Sequence, residues 1–166
     1  MTEQVTITYL EMTEPGQLVA AGCPEPGLTV AECMVRQPDV NRFLYSWIGR
    51  QWEWTDKLVW TERQWAEYAC DANLRTWIAC VGGSIAGYFE LHRQVADVEI
   101  RYFGITPEFI GKGYGKYLLC EAIRQGWVWQ AERVWVHTCT KDHPAALPNY
   151  QARGMRIYKT QRSLKK

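Results

Sequence analysis

The sequence carries almost no net charge. Nineteen Lys and Arg residues stand against eighteen Asp and Glu residues, which leaves a formal net charge of +1 at pH 7. A protein that binds the nucleic-acid backbone needs a concentrated basic surface, because much of its affinity comes from contacts to phosphates. The composition therefore argues against nucleic acid as the partner.

Long hydrophobic runs are absent as well. No apolar stretch approaches the roughly 18 residues that span a bilayer. The first twelve residues, MTEQVTITYLEM, lack the basic and apolar regions of a signal peptide. We therefore expect no membrane partner and a cytoplasmic location.

Metal-binding patterns are also missing. The six cysteines are scattered without a CxxC pair, and the three histidines have no spacing typical of zinc ligands. We predict reduced, mostly buried thiols and no metal. The residues concerned are Cys23, Cys33, Cys70, Cys80, Cys120, Cys139, His92, His137 and His143.

The length and composition are those of a chain that folds. The 166 residues predict one domain, 1–166, and 47% of them are hydrophobic against 22% charged, as in ordinary globular proteins. Aromatic residues are the unusual feature, because five of the nine tryptophans fall within 47–65.

Periodicity and turn residues predict the secondary structure. A capping box of Thr61 and Gln64 opens a helix that ends near Asp71, and Gly82-Gly83-Ser84 predicts a hairpin turn. After residue 115 a helix carries an apolar face of Leu119, Ala122, Ile123 and Gly126. The other predicted helices are 38–48 and 145–153, and the predicted strands are 5–9, 74–81, 85–92, 98–105, 134–138 and 155–160.

Three glycines alternate where the strand 98–105 gives way to a helix. The segment reads Gly111-Lys112-Gly113-Tyr114-Gly115-Lys116. Its backbone N–H groups can converge on one point, and the first helical turn adds unpaired donors and the positive end of the helix dipole. This arrangement suits a pyrophosphate, although the spacing fits neither a P-loop nor a Rossmann fingerprint. A tight turn that only reverses the chain remains the alternative.

This turn resembles the acetyl-CoA signature [QR]xxGx[GA] of the GCN5-related N-acetyltransferase (GNAT) superfamily, with Ile110 in place of the leading Gln or Arg. A second family pattern, Nxx[AS]xxxYxxxGF, falls on His143, Ala146, Tyr150, Gly154 and Met155. His143 replaces its Asn and Met155 replaces its Phe. The predicted order of elements over about residues 5–160 is also similar to that of the family.

The resemblance implies an α/β fold with a mixed, mostly antiparallel central sheet flanked by helices. It also implies that a splayed pair of parallel strands binds acetyl-CoA as the cosubstrate. The corresponding residues are Phe103, Gly104, Ile105, Ile110, Gly111, Lys112, Gly113, Tyr114, Gly115, Lys116, His143 and Ala146.

Acetyl transfer to an alkyl amine needs a base, because an amine with a pKa of about 10.4 is protonated at pH 7. By resemblance, Glu99 takes the strand position of the catalytic glutamate, and Tyr150 takes that of the acid that protonates the leaving thiolate. Glu90 on the neighbouring strand is the rival base.

The aromatic belt of residues 43–56 falls where the family places its variable acceptor region. Indole faces and nearby carboxylates would suit a cationic amine, so we expect Tyr45, Trp47, Trp54 and Glu90 on the acceptor side. The same aromatic residues could instead cover the sheet or form a homodimer interface. The leading expectation is an N-acetyltransferase for a small amine. The alternatives are a non-catalytic acyl-CoA-binding module and an enzyme that acetylates a protein or peptide amine.

Overall fold

A seven-stranded sheet runs through the molecule. The computed structural model describes residues 3–165, and its strands lie in the order β2-β3-β4-β5-β6-β1-β7. Within that range β5 and β6 are parallel, whereas the other neighbouring strands are antiparallel. The strands are β1 Glu3–Met12, β2 Leu28–Glu32, β3 Leu74–Val81, β4 Ser84–Gln94, β5 Asp97–Ile105, β6 Arg133–Cys139 and β7 Arg156–Lys165.

Helices flank both faces of this sheet. They are α1 Pro38–Gly49, α2 Glu62–Ala69, α3 Tyr114–Val128 and α4 Ala146–Ala152, with short 3-10 turns at Pro15–Gln17 and Pro107–Phe109. The mixed, mostly antiparallel sheet with flanking helices is the predicted fold class, which is confirmed. None of the helices in the described range is long and apolar enough to cross a bilayer.

The larger core lies between α3 and the sheet. Leu119, Ala122, Ile123 and Gly126 are all buried, as their spacing predicts. The smaller core lies on the opposite face, where Leu44 and Ile48 of α1 pack on Tyr88 of β4. The two cores cover β4 and β5 from both sides, and residues 100–105 of β5 line the candidate site.

Local signals predicted the start of α2 and the central hairpin correctly. Thr61 Oγ1 accepts a hydrogen bond from the Gln64 backbone at 3.2 Å, and Gln64 Oε1 accepts one from the Thr61 backbone at 2.9 Å. The helix ends at Ala69 with Cys70 as its cap, slightly before the predicted end near Asp71.

Strand predictions failed at the edges of the sheet. The strand β2 was not predicted. Its five residues are half-buried or exposed and pair with β3 alone, and so short an edge strand gives too few positions for a period-two pattern to be recognised. The first and last strands are longer than predicted, because β1 and β7 pair with each other from Glu3 to Glu11 through mostly polar residues. Met155 is buried but precedes β7.

The expectation of mostly buried thiols was wrong. Cys120 in the middle of α3 is buried, but Cys23 and Cys70 are exposed and the other three cysteines are partly exposed. Cys23 lies in a loop of residues 22–27 that is rich in proline and glycine, and Cys70 is the C-terminal cap of α2. All six are free thiols.

Candidate active site

The parallel strands β5 and β6 separate along their length. Their pairing runs from Asp97 opposite Arg133 to Glu99 opposite Trp135, while the strands continue to Ile105 and Cys139. A bulge in β5 coincides with the separation, because Glu90 pairs with Tyr102 and Leu91 with Ile100. Arg101 is the extra residue, and such a bulge bends and twists its strand. A cleft of about 900 Å³ opens beyond this point.

Most of the predicted cofactor residues meet in this cleft. Segments from the α1–α2 loop, β5, the glycine turn, β6 and α4 form its wall. The predicted residues in the wall are Tyr45, Trp54, Phe103, Gly104, Ile105, Ile110, Gly111, Gly113, Gly115, Lys116, His143, Ala146 and Tyr150. The predicted residues outside the wall are Trp47, Glu90, Glu99, Lys112 and Tyr114.

The glycine turn at one end of the cleft depends on backbone conformation. Gly111 has φ +79° and Gly113, the N-cap of α3, has φ +88°. Both angles lie in the left-handed region that favours glycine. A Cβ on Gly111 would meet nothing within 4 Å, so conformation and not space requires glycine there. The turn, together with Gly115 and Lys116 in the first turn of α3, whose N–H donors have no partner within the helix, lines the cleft.

Asn149, which was not predicted as a site residue, connects α4 to the glycine turn. Its Nδ2 donates to the carbonyl oxygen of Gly115 at 3.2 Å. Its buried Oδ1 has no hydrogen-bond partner among residues 3–165, although the residue lines the cleft. The only available sequence signal was a polar residue directly before Tyr150.

Tyr150 in α4 faces the cleft from a nearly buried position. Its side chain is 6% exposed. Burial raises the pKa of Tyr150, and the nearby charge of Asp142 raises it further. The phenol therefore keeps its proton at neutral pH, as a proton donor must.

Glu99 lies one side chain behind the cleft wall. Its buried carboxylate accepts hydrogen bonds at Oε2 from Gln94 Nε2 at 2.7 Å and from Arg101 Nη2 at 3.0 Å. Its Oε1 lies 3.9 Å from Nε2 of His137. Arg101 and His137 both line the cleft, so each can connect this carboxylate to a bound molecule. His137 was not predicted as a site residue, because its contact with Glu99 depends on the parallel pairing of β5 with β6.

Glu90 is buried away from the cleft, on the side of α1 and α2. Asn41 Nδ2 donates to its Oε1 at 2.9 Å, and the Tyr68 hydroxyl donates to its Oε2. Burial raises the pKa of Glu90, while these two hydrogen bonds and the charge of Lys57 act in the opposite direction.

Aromatic rings form another part of the cleft wall. The Tyr45 ring lies 5.8 Å from that of Trp54 and 5.2 Å from that of Tyr102, measured between centroids. Trp52 packs edge-on against His143 at 4.7 Å. Trp47 instead packs on the exposed Phe43, outside this wall.

His143 differs from the asparagine of the family pattern in the contacts it makes. Its Nδ1 accepts a hydrogen bond from the Ala145 backbone at 2.9 Å, and Trp52 covers the ring. Across the described residues, no group of three or more His, Cys, Asp or Glu side chains is arranged to hold a metal ion.

Comparisons with known proteins agree with this architecture. The model of the acetyltransferase (GNAT) family matches residues 41–155. No curated protein matches the sequence. A solved GCN5-related N-acetyltransferase from Sphaerobacter thermophilus is similar with a TM-score of 0.72 at 16% identity, over 96% of this chain and 51% of that chain.

Two further solved structures are similar over most of both chains. One is an aminoglycoside acetyltransferase from an uncultured soil metagenomic sample in complex with trehalose, with a TM-score of 0.62 and 15% identity over 76% of this chain and 86% of that one. The other is a GNAT family acetyltransferase from Elizabethkingia anophelis with acetyl-CoA bound, with a TM-score of 0.60 and 16% identity over 81% and 80%. At such identities the likeness concerns the fold. The chain spans 51% to 63% of the first four structures that it matches.

Proposed function

Because this chain belongs to the acetyltransferase (GNAT) family, we propose that it transfers an acetyl group from acetyl-CoA to a primary amine on a small molecule. The observation that carries the proposal is the cleft between β5 and β6, whose wall includes both the glycine turn and aromatic rings. A long cosubstrate and an acceptor can meet in such a cleft from its two ends.

The cofactor half of the proposal rests on backbone groups. Beyond Glu99, the described β5 residues have no ladder partner on β6, so a pantetheine arm can take hydrogen bonds beside Phe103 and Ile105. The glycine turn and the start of α3 offer N–H donors to a pyrophosphate, and Lys116 adds a positive charge in the wall. Because these donors belong to the backbone, Ile110 in place of a Gln or Arg should lower the affinity for acetyl-CoA without abolishing binding.

The proposed reaction is a direct transfer. The amine nitrogen attacks the thioester carbonyl, the new C–N bond forms, and the C–S bond breaks as coenzyme A leaves. The amine proton passes to Glu99 through His137 or a water molecule, because Glu99 lies behind the cleft wall. Tyr150 protonates the leaving thiolate. Each of these proton transfers is worth about 10² to 10⁴ in rate.

The aromatic wall favours an amine on an apolar body. Indole and phenol rings bind cations and apolar groups but offer few hydrogen bonds. A sugar would leave hydroxyl groups unpaired there, at about 1 to 3 kcal/mol each. We therefore expect hydrophobic or amino-acid-like primary amines to be better acceptors than aminoglycosides.

A panel of amines, assayed by the release of free coenzyme A thiol, tests this function. Hydrophobic primary amines should give amine-dependent release, and Trp54→Ala should raise their KM with little change in acetyl-CoA affinity, since a wall contact is held equally in ground and transition states. Trp47→Ala is the matched control, because Trp47 lies outside the cleft wall. Aminoglycosides as the best acceptors would contradict the proposed acceptor class.

The same assay separates the two remaining functions. If the protein binds acetyl-CoA but releases no free thiol with any amine, it is a non-catalytic binding module. The departures from the family patterns at Ile110 and His143 favour this alternative. Release with peptides alone would support an enzyme that acetylates protein or peptide amines.

A further inference from the structure

The ammonium group of Lys57 lies inside a cage of three aromatic rings. Its Nζ is 4.5 Å from the ring centroid of Trp60, 5.1 Å from that of Tyr102 and 5.4 Å from that of Tyr68. No carboxylate in the described part of the chain lies within ion-pair distance of it. The cation is therefore held mainly by ring faces, as in sites that recognise organic ammonium ions.

The walls of this cage are fixed by their own contacts. Trp60 packs edge-on against Trp65 of α2 at 5.2 Å and against Tyr68 at 5.4 Å. Tyr102 of β5 packs against Tyr45 of α1 at 5.2 Å. The rings are thus supported by ring contacts with α1, α2 and the sheet that do not involve the Lys57 side chain.

A buried carboxylate lies behind the cage. Tyr68 donates its hydroxyl hydrogen bond to Glu90, whose residue is 1% exposed. Burial raises the pKa of Glu90, and the charge of Lys57 lowers it. A cation in the cage and the ionised form of Glu90 therefore favour each other.

Lys57 is held less firmly than the walls. It belongs to the loop between α1 and α2, where the neighbouring Leu58 and Val59 are 52% and 85% exposed. Burial lowers the pKa of Lys57, and Arg101 lowers it further, so the ammonium is less stable here than in water. The Lys57 backbone is held by hydrogen bonds from its N–H to the Tyr45 hydroxyl at 3.2 Å and from the Trp60 N–H to its carbonyl oxygen at 3.1 Å. The side chain can therefore leave the rings by rotating about its own bonds while the loop and Trp60 stay in place.

The cage shares a wall with the candidate cleft. Tyr102 is a cage wall and also lines the cleft. Tyr45, which supports Tyr102, and Asp56, the residue before Lys57, line the cleft as well. We propose that the cage is a binding site for an organic ammonium group of the acceptor, and that Lys57 occupies it until an acceptor displaces it. That the ligand is an acceptor rests on the proposed acetyl transfer, but the binding test needs no acetyl-CoA.

Choline is a suitable probe, with the uncharged alcohol that has carbon in place of its nitrogen as the control ligand. We expect Lys57→Ala to bind choline at least about tenfold more tightly than the wild type, measured by calorimetry, because the cage is then vacant. The uncharged alcohol should bind neither protein. Trp60→Ala in the Lys57→Ala background should abolish the gain. Lys159→Ala is the matched control, because Lys159 also lies over one ring, that of Tyr9 at 4.9 Å, outside the cage.

A second measurement does not depend on the folding of a variant. Saturation with choline should expose Lys57 in the wild-type protein and raise its labelling rate by an amine-reactive reagent severalfold, while Lys159 labelling stays unchanged. An unchanged Lys57 labelling rate at high choline would contradict the proposal, as would equal choline affinity of wild type and folded Lys57→Ala. If choline behaves as expected but no amine is acetylated, the proposed function fails while the cation site stands.

Discussion

At the scale of single residues, Glu99 and Glu90 are the two candidates for the catalytic base. Glu99 and Glu90 are both buried, but Glu99 contacts two residues of the cleft wall, whereas Glu90 faces α1 and α2. Glu99→Gln should lower kcat by about 10² to 10⁴ at unchanged acetyl-CoA affinity, in steady-state assays at neutral pH. Glu90→Gln is the matched control and should keep kcat. The opposite outcome would transfer the role of the base to Glu90.

Tyr150 gives a prediction about pH. Because burial raises its pKa above the ordinary value, its hydroxyl stays protonated at every pH where a free tyrosine does, up to about pH 10. Loss of a protonated acid should therefore not lower kcat on the alkaline side below that pH. Tyr150→Phe should lower kcat by about 10² or more, with acetyl-CoA affinity retained. A phenylalanine variant with full kcat would assign Tyr150 to packing.

Residue positions within the site were predictable only where a local pattern exists. The glycine turn and Tyr150 lie in short motifs, and the structure brings them together in the cleft wall. His137, Arg101 and Asn149 could not be found in this way, because their places depend on strand pairing, a bulge and helix contact between distant segments.

At the scale of elements, α2 illustrates how a local signal acts on the site. Its capping box satisfies backbone groups at the start of the helix that carries Trp65 and Tyr68. Thr61→Ala should lower the free energy of unfolding by about 0.5 to 2 kcal/mol, measured by urea denaturation. Glu67→Ala breaks only the exposed pair with Arg63 and should cost no more than about 0.5 kcal/mol. Equal costs for both variants would contradict the capping account.

The start of α3 allows charge to be tested apart from shape. A Cβ on Gly115 would meet Ile105 at 3.7 Å, an ordinary contact, and an acidic side chain in the first helical turn interacts favourably with the dipole. Gly115→Asp should therefore fold, but its charge should oppose a pyrophosphate. Acetyl-CoA at 100 times its Kd stabilises a protein that binds it by about 2.7 kcal/mol, which is measured as a rise in Tm. This rise should be present in the wild type and absent in Gly115→Asp.

Gly115→Asn is the control for that variant, since it has the same size without the charge. It should keep more of the Tm rise than Gly115→Asp. If both variants respond to acetyl-CoA as the wild type does, the pyrophosphate does not lie at this turn.

Elements were predictable in proportion to their local signals. The strand 74–81 was predicted with its observed bounds, because it is apolar and ends at a glycine turn. The strand β2 was not, because its identity depends on β3, to which it adds an edge. The polar second half of β7 likewise forms a strand because β1 offers it a partner.

For the whole molecule, a homodimer stays a prediction. Three rings of the belt, those of Tyr45, Trp52 and Trp54, pack on other rings within this chain, which assigns them a role without a second copy. Sedimentation of the protein, with Phe43→Ala as the variant because Phe43 is 54% exposed, measures the state directly. A dimer that dissociates in this variant would place the interface on α1.

The central claim is that the cleft couples breakage of a thioester to acetylation of an amine. The most direct measurement is the ratio of acetylated amine to free coenzyme A thiol, determined by mass spectrometry and thiol titration in one reaction with a hydrophobic primary amine. The account predicts one acetylated amine for each thiol released, with both products lost together in Glu99→Gln. Thiol release that does not depend on the amine, or binding of acetyl-CoA without either product, would contradict it.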